Sequence, residues 1–128
     1  MTIEHVRLSE KAKQQLITLK RRTGLENWNV LCRWAFCLSL AEPSIPPHED
    51  IVTDSSVEMT WKVFAGEHYH IYEAILLKRI YMDCGGVDEK NISYYFRLHL
   101  HRGISYLLNQ VNSLDDMIKI IQKHPSFH

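Results

Sequence analysis

The chain has 128 residues, 45% of them hydrophobic, and its 15 basic and 15 acidic side chains cancel. This length fits one ordinary domain, and the neutrality excludes a global electrostatic field that would identify a partner. The start "MTIEHVRLSEK" has no apolar signal core, and no uncharged run reaches the ~20 residues of a membrane-spanning helix. We therefore expect a cytoplasmic protein.

The first predicted elements are a short strand over residues 2–8 and a helix that follows it. Ser9 is a good N-cap and Gly24 a typical C′ residue, which predicts a helix over residues 10–23. Ala12, Leu16 and Leu19 recur at helical spacing and form its apolar stripe. The basic residues surround the exposed side of this helix without forming one line.

The next segment, "WNVLCRWAFCLSLA", predicts a second helix over residues 28–41 that is apolar nearly all round. Such a helix cannot face water on one side, so it needs cover from every direction. In a chain this small, we expect part of that cover to come from another subunit. The predicted core and oligomer interface is Trp28, Leu31, Trp34, Ala35 and Leu38.

The remainder of the chain predicts one more strand and three more helices. Prolines break the chain near residues 43–47, and alternation over 56–64 indicates a strand. A helix over 67–84 stops at two glycines, and Asp88 caps the next helix. Ser113 caps the last helix, which has Pro125 beyond its end and whose expected inner face is Leu114, Met117, Ile118 and Ile121. The expected fold is mainly α: a single compact domain, residues 1–128, of about five helices with one or two short strands.

The segment from residue 7 to residue 33 is locally basic, with seven basic and two acidic side chains. Cations in the last turn of a helix are favoured by its dipole, which explains Lys20, Arg21 and Arg22 without any partner. Lys11 and Lys13 lie in the first turn, where the dipole disfavours them. Nucleic-acid contact and ordinary surface composition both remain open on charge alone.

If DNA is the partner, the segment is expected to contact the phosphate backbone without sequence specificity. No aromatic residue interleaves with the cations to stack bases, and no Asn or Gln array suggests readout of base edges. The predicted DNA-binding residues are Arg7, Lys11, Lys13, Lys20, Arg21 and Arg22.

Histidines and cysteines offer no convincing metal or catalytic site. The pairs His68/His70 and His99/His101 are two residues apart, about 200° around a helix, so neither pair chelates a metal as a unit. Cys84 follows Asp83 at a helix C-terminus, which disfavours a thiolate, and "CGG" lacks the lysine of a phosphate loop. We expect no catalytic residue, no metal and no cofactor.

The segment "VRLSEKAKQQLITLKRRTGLENWNVLCRWAFCLSLAEPSIPP", residues 6–47, resembles the DndE family of DNA sulfur modification proteins. The runs "RLSEKAK", "LKRRTG" and "PSIPP", with "YYFRLHLHRG" further on, extend the resemblance over essentially the whole chain. The strand–helix–helix start is also weakly similar to ribbon-helix-helix DNA-binding proteins.

The resemblance implies a place in bacterial DNA phosphorothioation, which replaces a non-bridging backbone oxygen with sulfur. A cysteine desulfurase and an iron–sulfur protein, which are other polypeptides, mobilise the sulfur. The resemblance therefore implies a non-enzymatic protein that binds double-stranded DNA as a homo-oligomer, with a tetramer as a candidate size of the oligomer. Its other expected partners are the remaining DNA sulfur modification proteins. The alternatives are a protein–protein adaptor that does not bind DNA and a nuclease-like enzyme.

Overall fold

The structure, a computed structural model, describes residues 3–123. Its elements are β1 (His5–Arg7), α1 (Glu10–Thr23), α2 (Trp28–Ala41), β2 (Glu58–Thr60), α3 (Trp61–Ala65), α4 (Tyr69–Cys84), α5 (Glu89–Gln110) and α6 (Leu114–Lys123), with a 3₁₀ turn at Gly66–His68 between α3 and α4. The mainly helical fold with a two-stranded antiparallel sheet is confirmed. Pro125 lies outside the described residues.

The predicted bounds of α1 are confirmed by its two caps. The Ser9 hydroxyl accepts a hydrogen bond from the Ala12 N–H at 3.1 Å, satisfying one free donor of the first turn. Gly24 adopts φ 77°, and its N–H donates to the Lys20 carbonyl. These caps hold the stripe of Ala12, Leu16 and Leu19 in the core.

α2 and α5 pack directly on each other. Gly103 on α5 lies directly against the backbone of α2, since a Cβ built on it would be 1.7 Å from the Ala35 carbonyl oxygen. α1 and α3 also pack on α2. Leu31, Ala35 and Leu38 are therefore buried within one chain.

Two arginines cap the C-terminus of α2, whose C-cap residue is Glu42 and not a glycine. Arg79 on α4 donates to the Leu40 and Glu42 carbonyls at 2.8 Å and to the Ser44 carbonyl at 2.9 Å. Arg102 on α5 donates to the Ser39 and Ser44 carbonyls at 2.9 Å. Cations at this position also complement the helix dipole.

The arginine cap ties three helices to the turn that follows α2. Asp83 fixes Arg79 through an ion pair of 2.8 Å, in which both side chains are nearly buried, at 12% and 11% exposure. Because this pair is shielded from solvent, salt screens it less than a surface pair. The C-terminal ends of α2 and α4 are thereby joined.

The predicted second strand is corrected to a shorter strand followed by a helix. β2 pairs with β1 in the register His5 to Thr60 and Arg7 to Glu58. Thr60 then caps α3, its hydroxyl accepting from the Val63 N–H. Trp61, Phe64 and Ala65 are buried at helical spacing, which the short alternating pattern had concealed.

The predicted inner face of α6 is partly corrected. Met117 and Ile120 are buried, whereas Leu114 and Ile118, both expected to face inward, are 47% and 51% exposed.

Within residues 3–123, none of the helices combines the length and apolarity that crossing a bilayer would require.

Replacing Gly103 with Ala is predicted to lower the free energy of unfolding by about 3 kcal/mol, because the added methyl group forces α5 away from the Ala35 carbonyl. Urea denaturation measures the loss. Gly86→Ala is the matched control, since its Cβ would meet nothing within 4 Å, and it is expected to change stability by less than ~0.5 kcal/mol. Equal stability of Gly103→Ala and the wild type would contradict the close packing.

Candidate nucleic-acid interface

The predicted DNA-contact residues lie on β1 and α1 but in different environments. Arg7, Lys11 and Arg21 are exposed, whereas Lys13, Lys20 and Arg22 are half-buried. The buried stripe of α1 packs on α5 and α2, so its opposite side faces solvent. The structure therefore separates these cations into groups on different flanks of the helix.

One flank of α1 carries Lys13 and Lys20. The Lys13 ammonium donates to the Ser56 hydroxyl at 2.9 Å. The Lys20 ammonium lies 3.4 Å from the centre of the Trp28 ring, and partial burial lowers the pKa of Lys20 while Glu26 opposes that shift. Trp28, although predicted as an interface residue, thus supports a cation of this flank.

Lys11 lies on the other flank, beside a groove of about 620 Å³ between α1, α5 and the loop after α2. Four carboxylates line this groove: Glu10, Glu49, Asp50 and Asp54. They reduce the positive potential around Lys11. The groove next to Lys13, about 560 Å³, holds only Glu26 and Glu58 as acids.

Arg22 performs a structural task in the folded chain. Its guanidinium Nη1 donates to the Leu108 carbonyl at 3.0 Å and to the Val111 carbonyl at 3.2 Å, at the C-terminal end of α5. Because Nη1 alone donates to both carbonyls, the N–H groups on Nε and Nη2 of Arg22 take no part in these two hydrogen bonds. DNA contact by Arg22 stays a prediction.

Both ends of α1 are fastened to α5. At the N-terminus, the Ser9 N–H donates to Nε2 of His101 at 3.1 Å. At the C-terminus, Arg22 makes the two contacts just described. α1 therefore presents its cations from a fixed element rather than from a free segment.

Of the five residues predicted for the core and oligomer interface on α2, three lie in the core of a single chain, and contact between subunits stays a prediction. Leu31 and Ala35 are 0% exposed and Leu38 is 3% exposed, so they offer no surface to a second copy. α5 packs over these residues of α2 and excludes water from them. The face of α5 that packs on α2 is hard to recognise in the sequence, because charged residues and histidines are interspersed along this helix. Trp28 and Trp34 are half-buried and stay candidates for such a contact.

An exposed apolar surface lies on α4, formed by Ile71, Ile75, Tyr81 and Met82, which are 43–68% exposed. α1 and α4 contact α5 at different places. The contacts of α1 on α5 fall at residues 101, 105 and 108. Cys84 of α4 instead contacts Tyr95, which projects about 80–140° around α5 from those three residues.

His101 has its neutral form fixed by its two partners. The Arg97 carbonyl can only accept, so Nδ1 of His101 donates to it at 2.8 Å, and Nε2 is left to accept from Ser9. Burial lowers the pKa of His101, in agreement with this arrangement. The histidine acts as a structural link between α5 and the start of α1.

His99 is buried between α2, α4 and α5. Arg102 donates to the Ser39 hydroxyl, so that hydroxyl donates in turn to Nδ1 of His99 at 2.9 Å, and the ring proton is placed on Nε2. Nε2 has no hydrogen-bond partner among residues 3–123. Burial, together with Arg79 and Arg102, lowers the pKa of His99 to about 3.

Metal and thiol chemistry find no support in the described part of the chain. Between residues 3 and 123, no three His, Cys, Asp or Glu side chains come together to hold a metal ion. Cys32 is buried, and this burial raises its pKa to about 12. Cys84 is exposed.

Comparison with known proteins places residues 5–115 on the family model described as DNA sulphur modification protein DndE. DndE from Escherichia coli B7A, described as involved in DNA phosphorothioation modification, has a similar crystal structure, with a TM-score of 0.70 and 23% identity over 84% of this chain and 98% of that one. A glycine-to-lysine mutant of DndE involved in DNA phosphorothioation matches at 0.63 and 22% over 83% and 97%. No curated protein sequence matches the chain.

Acid is predicted to destabilise the chain through His99. The unfolded state, with a His pKa near 6.5, binds more protons than the folded state, with a pKa of about 3, so stability falls as pH decreases between these values. The slope from His99 is about 1.4 kcal/mol per pH unit. His99→Asn keeps an acceptor for Ser39 and is expected to remove that slope in urea denaturation at several pH values.

The matched control is His70→Asn, on the exposed side of α4. Its pH dependence of unfolding is expected to equal that of the wild type. A wild-type stability that stays constant from pH 6.5 to pH 4 would contradict the neutral, buried state of His99.

Proposed function

The chain belongs to the DndE family of DNA sulphur modification proteins, and on that premise we propose that it is a non-catalytic, homo-oligomeric component that binds the DNA phosphate backbone during phosphorothioation. The observation that carries the proposal is the exposed side of α1. From Lys11 to Arg22 this helix contains five cations and no acid, and both of its ends are fastened to α5.

Lys13, Lys20 and Arg21 are the proposed main contacts. Arg21 is exposed, and Lys13 lines the groove that holds only two carboxylates. Lys20 lies over the ring of Trp28, which lines the same groove. Lys11 stands beside four carboxylates, which repel phosphate, so its contribution is expected to be smaller. Arg7 extends the basic surface along β1, where its ion pair with Glu58 is exposed and long, 3.9 Å.

Phosphate contact of this kind gives weak binding that depends steeply on salt. Three to five neutralised phosphates per chain release few counterions, so a single copy binds modestly. Several copies on one duplex raise the overall affinity through effective concentration. The proposal therefore includes self-association of the chain. The candidate contacts between copies are the half-buried Trp28 and Trp34, and not the buried residues of α2.

The runner-up is an adaptor that docks other DNA sulphur modification proteins through the exposed apolar residues of α4. Ile71, Ile75 and Met82 favour it, because exposed apolar side chains clustered on one helix are typical of protein contacts. The two functions differ with bare duplex DNA. The DNA binder gives a salt-sensitive complex, whereas the adaptor gives none.

Replacing Lys13, Lys20 and Arg21 together with Gln is predicted to weaken duplex binding at low salt by about 100-fold. The slope of log K against log salt should fall by about 3, one for each lost phosphate contact. Fluorescence anisotropy with a short labelled duplex measures both. Arg22 is left in place because its removal would free the carbonyls at the end of α5.

A second triple variant, Lys78→Gln with Lys90→Gln and Lys119→Gln, removes the same charge from α4, α5 and α6. Compared at ~0.1 M salt, it is expected to retain duplex binding within about threefold, since charges farther from the DNA than the Debye length of about 10 Å are largely screened. Equal losses in both variants would contradict a specific role for α1. Cleavage of the duplex in the presence of a divalent metal would instead support the nuclease-like alternative.

A further inference from the structure

A small polar cavity of about 90 Å³ lies between β1, the loop before β2 and the first half of α5. Its polar rim consists of His5, Arg7, Thr53, Ser93 and Arg97, and its floor is made of buried apolar side chains of the chain start, β1 and α5. The volume has room for several waters. None of the rim residues is acidic.

The local structure explains why these side chains converge. His5 and Arg7 lie on one face of β1, because Val6 between them points into the core and is 2% exposed. Ser93 and Arg97 are four residues apart on α5 and therefore share one face of that helix. The sequence separation of about 90 residues between the two arginines hid this cluster from sequence analysis.

Three rim side chains have hydrogen-bond donors without a protein acceptor. Within residues 3–123, the Thr53 hydroxyl, the Ser93 hydroxyl and the Arg97 guanidinium form no hydrogen bond or ion pair. Half-buried donors of this kind are usually satisfied by water or by a ligand. Arg97 is thus a charged group held beside a cavity without an assigned partner in the described chain.

The acids nearest to the cavity compete only weakly. Glu58 lies 3.7 Å from the His5 ring and 3.9 Å from the Arg7 guanidinium, with all three side chains about half-exposed. Such exposed pairs contribute little, so an anion with better geometry can replace them. Glu49 and Asp50 line a neighbouring cavity that also contains Arg97, but no ion pair joins them to it in the described residues.

We propose that this cavity is a binding site for one phosphate group, named the phosphate seat below. Arg7 and Arg97 are its charged hydrogen-bond donors, and the hydroxyls of Thr53 and Ser93 are its neutral donors. The planar guanidinium forks suit a tetrahedral oxyanion. The phosphate comes from a DNA strand or from free inorganic phosphate, and assignment to DNA rests on the proposed function. In the DNA case, the seat extends the basic surface from α1 across β1 to α5.

The oxyanion chemistry is tested without DNA by titrating inorganic phosphate into the full chain and following backbone amides by NMR. Saturable shifts are expected at Thr53, Ser93 and Arg97. Arg97→Gln should weaken the response at least tenfold, and Arg97→Lys, which keeps the charge but loses the fork, should weaken it less. Lys90→Gln, one turn before Ser93 on the same helix, is the charge-matched control and should respond like the wild type.

Absence of saturation at tens of millimolar phosphate, or an Arg97→Gln response equal to that of the wild type, would overturn the seat. A thermal melt of Arg97→Gln near that of the wild type shows that the variant is folded.

Duplex binding by the same variants decides the source of the phosphate. If DNA occupies the seat, Arg97→Gln weakens duplex binding about tenfold and lowers the salt slope by about 1. Unchanged duplex binding together with lost phosphate shifts would overturn the DNA assignment and support a free-anion site. If the wild type binds no duplex, the proposed function fails, while the phosphate titration still decides whether the seat exists.

Discussion

The structure depends on the direct backbone contact between α2 and α5. Gly103 allows α5 to approach the Ala35 carbonyl so closely that even one methyl group would not fit. This approach positions Arg102 to cap the end of α2, where Arg79 completes the cap from α4. α1 can then use α5 as a support at both of its ends. The fixed orientation of the basic helix therefore follows from a contact in which it takes no part.

The arrangement of α1 and the neighbouring loop explains how a chain with no net charge has a basic surface. Cations concentrate on α1, whereas Glu49, Asp50 and Asp54 line the groove on its Lys11 flank and are absent from the lining of the groove next to Lys13. The positive and negative charges sum to zero over the whole chain, but they are unevenly distributed over its surface. An anionic strand would therefore meet unequal potentials on the two sides of α1, and the flank of Lys13 and Lys20 is the favourable one.

Local signals predicted the helices well, and tertiary contacts account for what the sequence could not show. Ser9, Gly24 and Asp88 fixed helix ends because caps act within a few residues. The cover that α5 gives to the buried residues of α2 depends on a glycine among polar side chains, so the sequence pattern did not reveal it. Additional cover of α2 by another subunit stays a prediction. The role of Arg22 at the end of α5 joins residues more than 80 positions apart, beyond any periodic pattern.

Hydrogen–deuterium exchange of the full chain, with and without a short duplex at low salt, tests the central claim that α1 and β1 form the DNA-contact surface on a fixed frame. The account predicts slower exchange over residues 5–23 when DNA is present and unchanged exchange over α4, residues 69–84. Protection confined to α4, or no protection of α1 at saturating duplex, would contradict it.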